Sequence, residues 1–373
     1  MIMKIIKRLS STIDIPKQKT IHLVGYGLLD NLARLDCFRA PDVKNFLLLT
    51  DINVYKIYGK RVISSLNKLG KEVIVARVAA GEQSKSFDTA ISVCGTFLEN
   101  RVSRKSVLIT LGGGVITDLG GFIGSIILRG IPVIHLPSTL LAQIDAGLGG
   151  KNGIDLWVKD KMLKNMVGKI EQAHAVVSDV GLLSSLPKRE ITNGLCEMVK
   201  YWVGWGKPSI GQLLAMKTPK RWRNDSSQVE ELAKTIICCQ QIKIDIVKQD
   251  PFETKGLREK LNLGHTIGHA IEGETFGKLS HGECVALGLI GAVKISTRLK
   301  LMKQKTAIQI IETIKNLGLP TFIKGPNIEK VTKLLSYDKK RGTFVLIKEI
   351  GDLITGVKVE AKLVKIALLE VIL

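Results

Sequence analysis

The feature that most constrains this chain is a change of period along it. Up to about residue 180, short apolar, β-branched runs at 21–24, 46–50, 72–76, 107–111, 133–136 and 175–179 alternate with amphipathic helical patterns such as 59–69 and 87–99. Strands alternating with helices point to a parallel sheet with helices on both faces. After Leu186-Pro187 helical patterns dominate through Leu335, at 190–202, 229–248, 265–275 and 283–299. The last segment, 344–347 and 363–371, mixes strand and helix signals. A chain of 373 residues exceeds a typical single core, so two domains are expected. The expectation is an α/β N-terminal nucleotide-binding domain with a parallel, Rossmann-like sheet over 1–185, then a mostly α-helical metal- and substrate-binding domain over 186–373.

Composition narrows the class. Hydrophobic residues at 45% and charged residues at 24% are ordinary for a globular protein. The most apolar stretch, 122–142, is broken by Arg129, Pro132, His135 and Pro137, so no membrane span is read. The first ten residues carry Lys4, Lys7 and Arg8 with no apolar block after them, and the expected compartment is the cytoplasm. The six cysteines include no Cys-x-x-Cys pair and read as reduced, mostly buried thiols. The net charge of +21 is carried by scattered lysines with only 5% aromatics, which argues against nucleic acid. Solvated faces and attraction of an anionic small molecule remain as readings of that charge.

Two regions carry chemistry. Gly112-Gly113-Gly114 with Val115, Thr117 and Asp118 follows a strand and opens a helix. Such a turn lets backbone approach a diphosphate, and the helix start offers free N–H groups to an anion. It is not the Gly-x-Gly-x-x-Gly fingerprint, and a tight strand-to-helix turn is the alternative reading. Asp51 ends a strand and reads as a nucleotide ligand or a helix cap, and the 81–85 loop with Glu82 and Lys85 is equally open. In the second half, three of the six histidines, His265, His269 and His281, fall within 17 residues. The first two share a helix face at i, i+4, and the loop 281–283 returns a third imidazole, as in a metal or acid–base cluster; a chance grouping of capped or surface histidines is the alternative. Glu197 is the candidate carboxylate, with Lys200 one turn on; the alternative is a surface Glu/Lys pair.

Four blocks together resemble the 3-dehydroquinate synthase family across about residues 45–350. They are Gly112 to Asp118 with Leu128-Arg129-Gly130, Leu136 to Asp145 continuing into Gly149-Gly150-Lys151, Leu186 to Glu190 through Glu197-Met198-Val199-Lys200, and Leu257 to Glu272 followed by His281-Gly282-Glu283. The resemblance implies Glu197, His265 and His281 as ligands of a divalent metal, zinc or cobalt. It implies NAD contacts at Asp51, Asn53, Glu82, Lys85, Gly113, Gly114, Val115, Asp118, Ser138, Thr139, Lys151, Lys164, Asn193 and the stretch from Leu182 to Ser185. Asp145, Lys151, Asn165, Lys200, Lys243, Arg258, Asn262 and His269 match substrate positions, and Glu253 matches a proton acceptor. Arg129 matches an arginine lent across a homodimer interface. Asp338-Lys339-Lys340 matches a motif with a phosphate-binding lysine, either Lys339 or Lys340.

The implied reaction converts 3-deoxy-arabino-heptulosonate 7-phosphate to 3-dehydroquinate and phosphate in the shikimate pathway. It proceeds by transient NAD-dependent oxidation, phosphate elimination, re-reduction and intramolecular aldol closure. The partners implied are this sugar-acid phosphate and a second copy of the chain, with no nucleic acid or membrane. Asn152 and Ser138 stand where threonine is expected and Thr117 where glycine is. Residues 157–162 look like an insertion, and one extra residue lies between Lys243 and Arg258. The alternatives are another sugar-phosphate cyclase, whose substrate lacks the carboxylate that Lys243 and Arg258 would clamp, or a glycerol-dehydrogenase-like metal alcohol dehydrogenase.

Overall fold

The computed structural model describes residues 3–13, 18–40, 42–158, 161–216, 226–275, 278–335 and 343–373. The chain divides into two compact units, Met1–Ser185 with Lys220–Gln240 and Leu186–Pro219 with Gln241–Leu373.

The first unit is built on β1 (Lys4–Ile13), β2 (Gln18–Tyr26), β3 (Asn45–Asp51), β4 (Glu72–Val78), β5 (Val107–Gly112), β6 (Val133–Pro137) and β9 (Ala175–Asp179). They form one seven-stranded sheet in the order β1-β2-β9-β6-β5-β3-β4. Only β1 runs antiparallel to its neighbour; the other pairings are parallel. The six expected strands are the six parallel ones. β3 shows why: all of it is buried, and alternate residues serve opposite cores. Phe46 and Leu48 pack with Leu23, Ile109 and Val177, and with Val62 and Leu66 of α2 (Lys60–Asn67). Leu47 and Leu49 pack on the other face with Ala90 and Phe97 of α3 (Phe87–Leu98) and Leu119 and Ile123 of α4 (Gly114–Ile126). α4 approaches β5 closely because Gly120 has no side chain; a Cβ there would collide with Thr110.

Two elements of this unit were not read from the sequence. One is β1. The other is the antiparallel hairpin β7 (Lys151–Val158) and β8 (Lys161–Ile170), whose paired ends Trp157–Val158 and Lys161–Met162 fall within the apparent insertion at 157–162. The expected boundary at 185 also needs an addition. α7 (Ser226–Gln249) belongs with the first unit up to Gln240. Buried Gln240 explains this, because its amide donates to the Gln143 carbonyl at 2.7 Å and to Ser178 Oγ at 3.0 Å.

The second unit is mostly helical: α5 (Lys188–Trp205), α6 (Ile210–Ala215), α8 (His265–Thr275), α9 (His281–Arg298), α10 (Gln304–Asn316), α11 (Ile328–Leu335) and α12 (Ala361–Leu369), with one hairpin, β10 (Thr343–Glu349) and β11 (Asp352–Lys358). The mixed signal of the last segment is therefore a hairpin followed by a helix. Among the described residues no helix is long and apolar enough to cross a membrane. The six cysteines are free, four of them buried.

Candidate metal centre and nucleotide site

Helix packing sets the metal centre. α8 and α9 cross at a glycine contact: a Cβ on Gly288 would run into the Gly264 carbonyl oxygen, and one on Gly268 would sit 2.9 Å from the Cys284 carbonyl oxygen. Gly264 also takes φ of +77°, a left-handed turn that suits glycine, just before His265 opens α8. His281 is the first residue of α9 rather than part of a loop, because Ser280 and Glu283 close a capping box around the helix start. The Gly282 N–H donates to Asn193 Oδ1 at 2.6 Å, tying this end of α9 to α5, which carries Glu197.

The three side chains converge. Glu197 Oε1 lies 3.5 Å from His265 Nε2 and 3.4 Å from His281 Nε2. The far nitrogen of each ring faces an acceptor: His265 Nδ1 is 3.1 Å from the Leu263 carbonyl oxygen, and His281 Nδ1 is 3.1 Å from Glu272 Oε2. Each acceptor takes a proton from Nδ1, so that a bound metal could take both Nε2 atoms with the rings in the tautomer it requires. Nitrogens of His265, His269 and His281 also lie within 4.8 Å of one another. The convergence of carboxylate and imidazole nitrogens fits a divalent cation. Glu272 was not singled out in the sequence, although at seven residues after His265 it falls on the same face of α8.

Without a metal these groups perturb one another. Burial pulls His265 down to about 3 despite nearby Glu197. Burial opposes the charged form of His281 too, but hydrogen bonds to Glu197 and Glu272 outweigh it and push the ring up to about 10. Glu197 and Lys200 are no surface pair: both are 1% exposed, with Lys200 Nζ 2.6 Å from Glu197 Oε2.

Arg258 and Lys243 are both buried, in the same unit. The Arg258 guanidinium donates through Nη1 to the Pro251 carbonyl at 2.7 Å, and its backbone N–H donates to Asp250 Oδ2 at 3.1 Å. Burial alone would raise Asp250, but backbone N–H groups of Arg258, Lys255 and Thr254 hold it below the usual carboxylate range. Asn262 Nδ2 donates to Glu253 Oε1 at 3.2 Å, and Glu253 has φ of +60°. His269 is exposed on α8. Lys339 and Lys340, with Asp338, lie outside the described residues.

In the first unit the nucleotide candidates gather where parallel strands end, as ligands do in open α/β sheets. Gly112 ends β5, Gly113 and Gly114 open α4 before Val115, and Ser138 and Thr139 follow β6. The Ser138 N–H donates to the Gly112 carbonyl at 2.8 Å, and a Cβ on Gly113 would stand 3.0 Å from Thr139 Cγ2. Thr117, in place of glycine, is accommodated: its hydroxyl donates back to the Gly114 carbonyl at 3.0 Å. Asp51 does cap the helical turn after β3, with Oδ1 accepting from the N–H groups of Asn53 at 2.9 Å and Val54 at 3.0 Å.

After β4, Lys85 Nζ donates to Asp118 Oδ2 at 2.6 Å and to Asn165 Oδ1 at 2.5 Å, while Lys164 Nζ is 3.7 Å from Glu82 Oε1. Burial would lower Lys85, but Asp118 and Glu82 more than compensate and keep it charged. Tyr58, which the sequence did not flag, donates its hydroxyl to the Leu182 carbonyl and lies 2.6 Å from Ser185 Oγ. Asp145 sits in the turn Ala142–Ala146 after these, and Lys151 begins β7. Asn193 is on α5 of the second unit, and Arg129 is exposed at the N-terminal end of the parallel strands, opposite the glycine turn, just before β6 begins. Leu128, Arg129 and Gly130 there take φ of +49°, +65° and +113°.

Comparison with known proteins identifies the family. Residues 75–193 match the model of the 3-dehydroquinate synthase N-terminal region, and residues 194–341 match the C-terminal one. The 3-dehydroquinate synthase of Rippkaea orientalis is 38% identical over 330 residues, covering 86% of this chain and 88% of the relative. Among solved structures, a 2-deoxy-scyllo-inosose synthase complexed with carbaglucose-6-phosphate, NAD+ and Co2+ superposes with a TM-score of 0.83 at 22% identity, over 97% of this chain and 99% of the other. The 2-epi-5-epi-valiolone synthase of Streptomyces hygroscopicus, with NAD+ and Zn2+ bound, gives 0.81 at 23% identity over 93% and 95%. The strand–helix alternation, the glycine turn and the carboxylate–histidine cluster thus have one common account: the chain belongs to the 3-dehydroquinate synthase family.

Proposed function

We propose that this chain converts 3-deoxy-arabino-heptulosonate 7-phosphate to 3-dehydroquinate and phosphate, using NAD and a divalent cation, zinc or cobalt. The observation that carries the reading is the convergence of Glu197, His265 and His281 in a family member 38% identical to a 3-dehydroquinate synthase. The other cyclases share the fold at 22% and 23% identity. Glu197 Oε1 and the two Nε2 atoms would hold the cation. For NAD, Ser138 Oγ is buried with no hydrogen-bond partner among the described residues, beside the glycine turn that admits a diphosphate. A bound cation supplies polarisation of hydroxyls, and bound NAD supplies a reversible hydride acceptor.

The chain's own residues do the rest by charge and position. Arg258 offers a planar fork to the substrate carboxylate, with Lys243 as a second cation; the Pro251 carbonyl holds the guanidinium in place. Lys200 balances Glu197 in the buried centre. Asp145, Lys151, Asn165, Asn262 and His269 contact substrate, and Glu253, bonded to Asn262, is the proton acceptor. Asp51, Glu82, Lys85, Asp118, Thr139 and Lys164, with Asn193, hold the nucleotide. Arg129 serves a partner subunit in a homodimer. The free thiols suit the cytoplasm. The test is phosphate release from the heptulosonate phosphate with and without chelator. Release that stops with chelator, returns with zinc and leaves no stoichiometric NADH is expected; NADH accumulating one for one would instead favour a dehydrogenase.

A further inference from the structure

Hairpin β7–β8 contains an irregularity whose centre is Asp155. Ile154 pairs with Val167 and Leu156 with Leu163, so Asp155 alone faces Lys164, Asn165 and Met166. This is a bulge with two extra residues on β8, the device by which strands re-aim side chains. It turns out Lys164 and Asn165, which hold Glu82 and Lys85. Asn165 has φ of +54°, a left-handed conformation that asparagine tolerates.

Asp155 holds this turn in place. It is 5% exposed, and its Oδ1 accepts the Asn165 backbone N–H at 2.8 Å. Its own N–H donates to the Lys85 carbonyl at 2.7 Å, and it forms a β-bridge with Ser86. One buried residue therefore fixes both partners of the Lys85–Asn165 contact, one through its side chain and the other through its backbone. Burial and the nearby Glu82 carboxylate push Asp155 up to about 6, against the lowering by the Asn165 N–H and Lys85.

We infer that Asp155 is a positioning residue for nucleotide binding, holding the bulge so that Lys85, braced by Asn165, and Lys164 meet the cofactor in a fixed arrangement. This rests on the NAD reading above. What matters is an acceptor at Oδ1, so Asp155→Asn should preserve the function and Asp155→Ala should remove it.

The test is calorimetric titration of the full chain with NAD, alongside zinc content and melting temperature. Asp155→Ala should weaken NAD binding at least tenfold, with zinc content unchanged, because the metal ligands lie in the other unit. Asp155→Asn should stay within about threefold of wild type. Equal binding by wild type and Asp155→Ala overturns the inference, as does equal loss in both variants. If Asp155→Ala does not fold, Asp155→Leu, close in shape but without an acceptor, is titrated in its place and judged by the same limits. Failure of the wild-type chain itself to bind NAD overturns the NAD reading instead.

Discussion

At the scale of single residues, side chains were legible as chemistry but not as environment. His265 and His281 stood out as a pair of potential ligands, yet sequence could not show that Leu263 and Glu272 would fix their tautomers. Spacing left Glu197–Lys200 open as a surface pair; their burial depends on α5 packing inside the unit. The metal-free protein should show opposite pH limbs. His265, with its folded value lowered to about 3, contributes stability above its ordinary range near 6.5, lost as pH falls toward 3. His281, raised to about 10, contributes stability present below about 6.5 and lost as pH rises through 10. Melting temperatures of chelated protein across pH 4–10 check this: His281→Ala should flatten the alkaline limb only. Arg258 makes a second case. Arg258→Met should raise KM for the heptulosonate about 10- to 100-fold, or about 1.4–2.8 kcal/mol, through loss of the carboxylate fork. Lost zinc with unchanged KM would show that Arg258 merely supports the turn before His265.

Elements were the most legible scale where burial was two-sided. β3, β5 and β6 are near-continuous apolar runs that a parallel sheet buries on both faces, so period and composition agreed. β1 and the β7–β8 hairpin escaped because their patterns are polar and, in the hairpin, interrupted by a bulge that breaks alternation. The glycines of α8 and α9 read only as scattered small residues until their contact was seen. Gly288→Ala tests that contact. Helix propensity favours alanine by up to about 1 kcal/mol, but the Cβ must push against the Gly264 carbonyl, and overpacking costs about 1–3 kcal/mol. The expected result is a lower melting temperature and at least tenfold weaker zinc binding, with NAD affinity unchanged. A more stable protein with full zinc would show that the crossing does not set the metal centre.

For the molecule as a whole, the order of motifs identified the family, while the assignment of chain to units was legible only up to about residue 185; nothing in the pattern of α7 marks Gln240 as the residue that reaches Gln143. Arg129 belongs at this scale. α4 separates it from the glycine turn by about 20 Å of helix, so in its own subunit it stands at the wrong end of the sheet for the nucleotide. Mixing Arg129→Ala with His265→Ala chains, each inactive alone, should therefore restore about a quarter of wild-type activity through heterodimers with one complete site. Activity that never recovers after subunit exchange would refute sharing.

The strand order has a consequence for synthesis. β2 pairs with β9, and the Leu29 N–H reaches Asp179 across 150 residues of chain. At a synthesis rate of roughly 5–20 residues per second, that partner emerges on the order of ten seconds after β2 does. During that interval the inner edge of β2 presents unpaired peptide groups, an invitation to strangers. The hairpin with β1 guards one edge of β2 early, and the other must wait, so the nascent chain is at its most vulnerable before the sheet's middle is made.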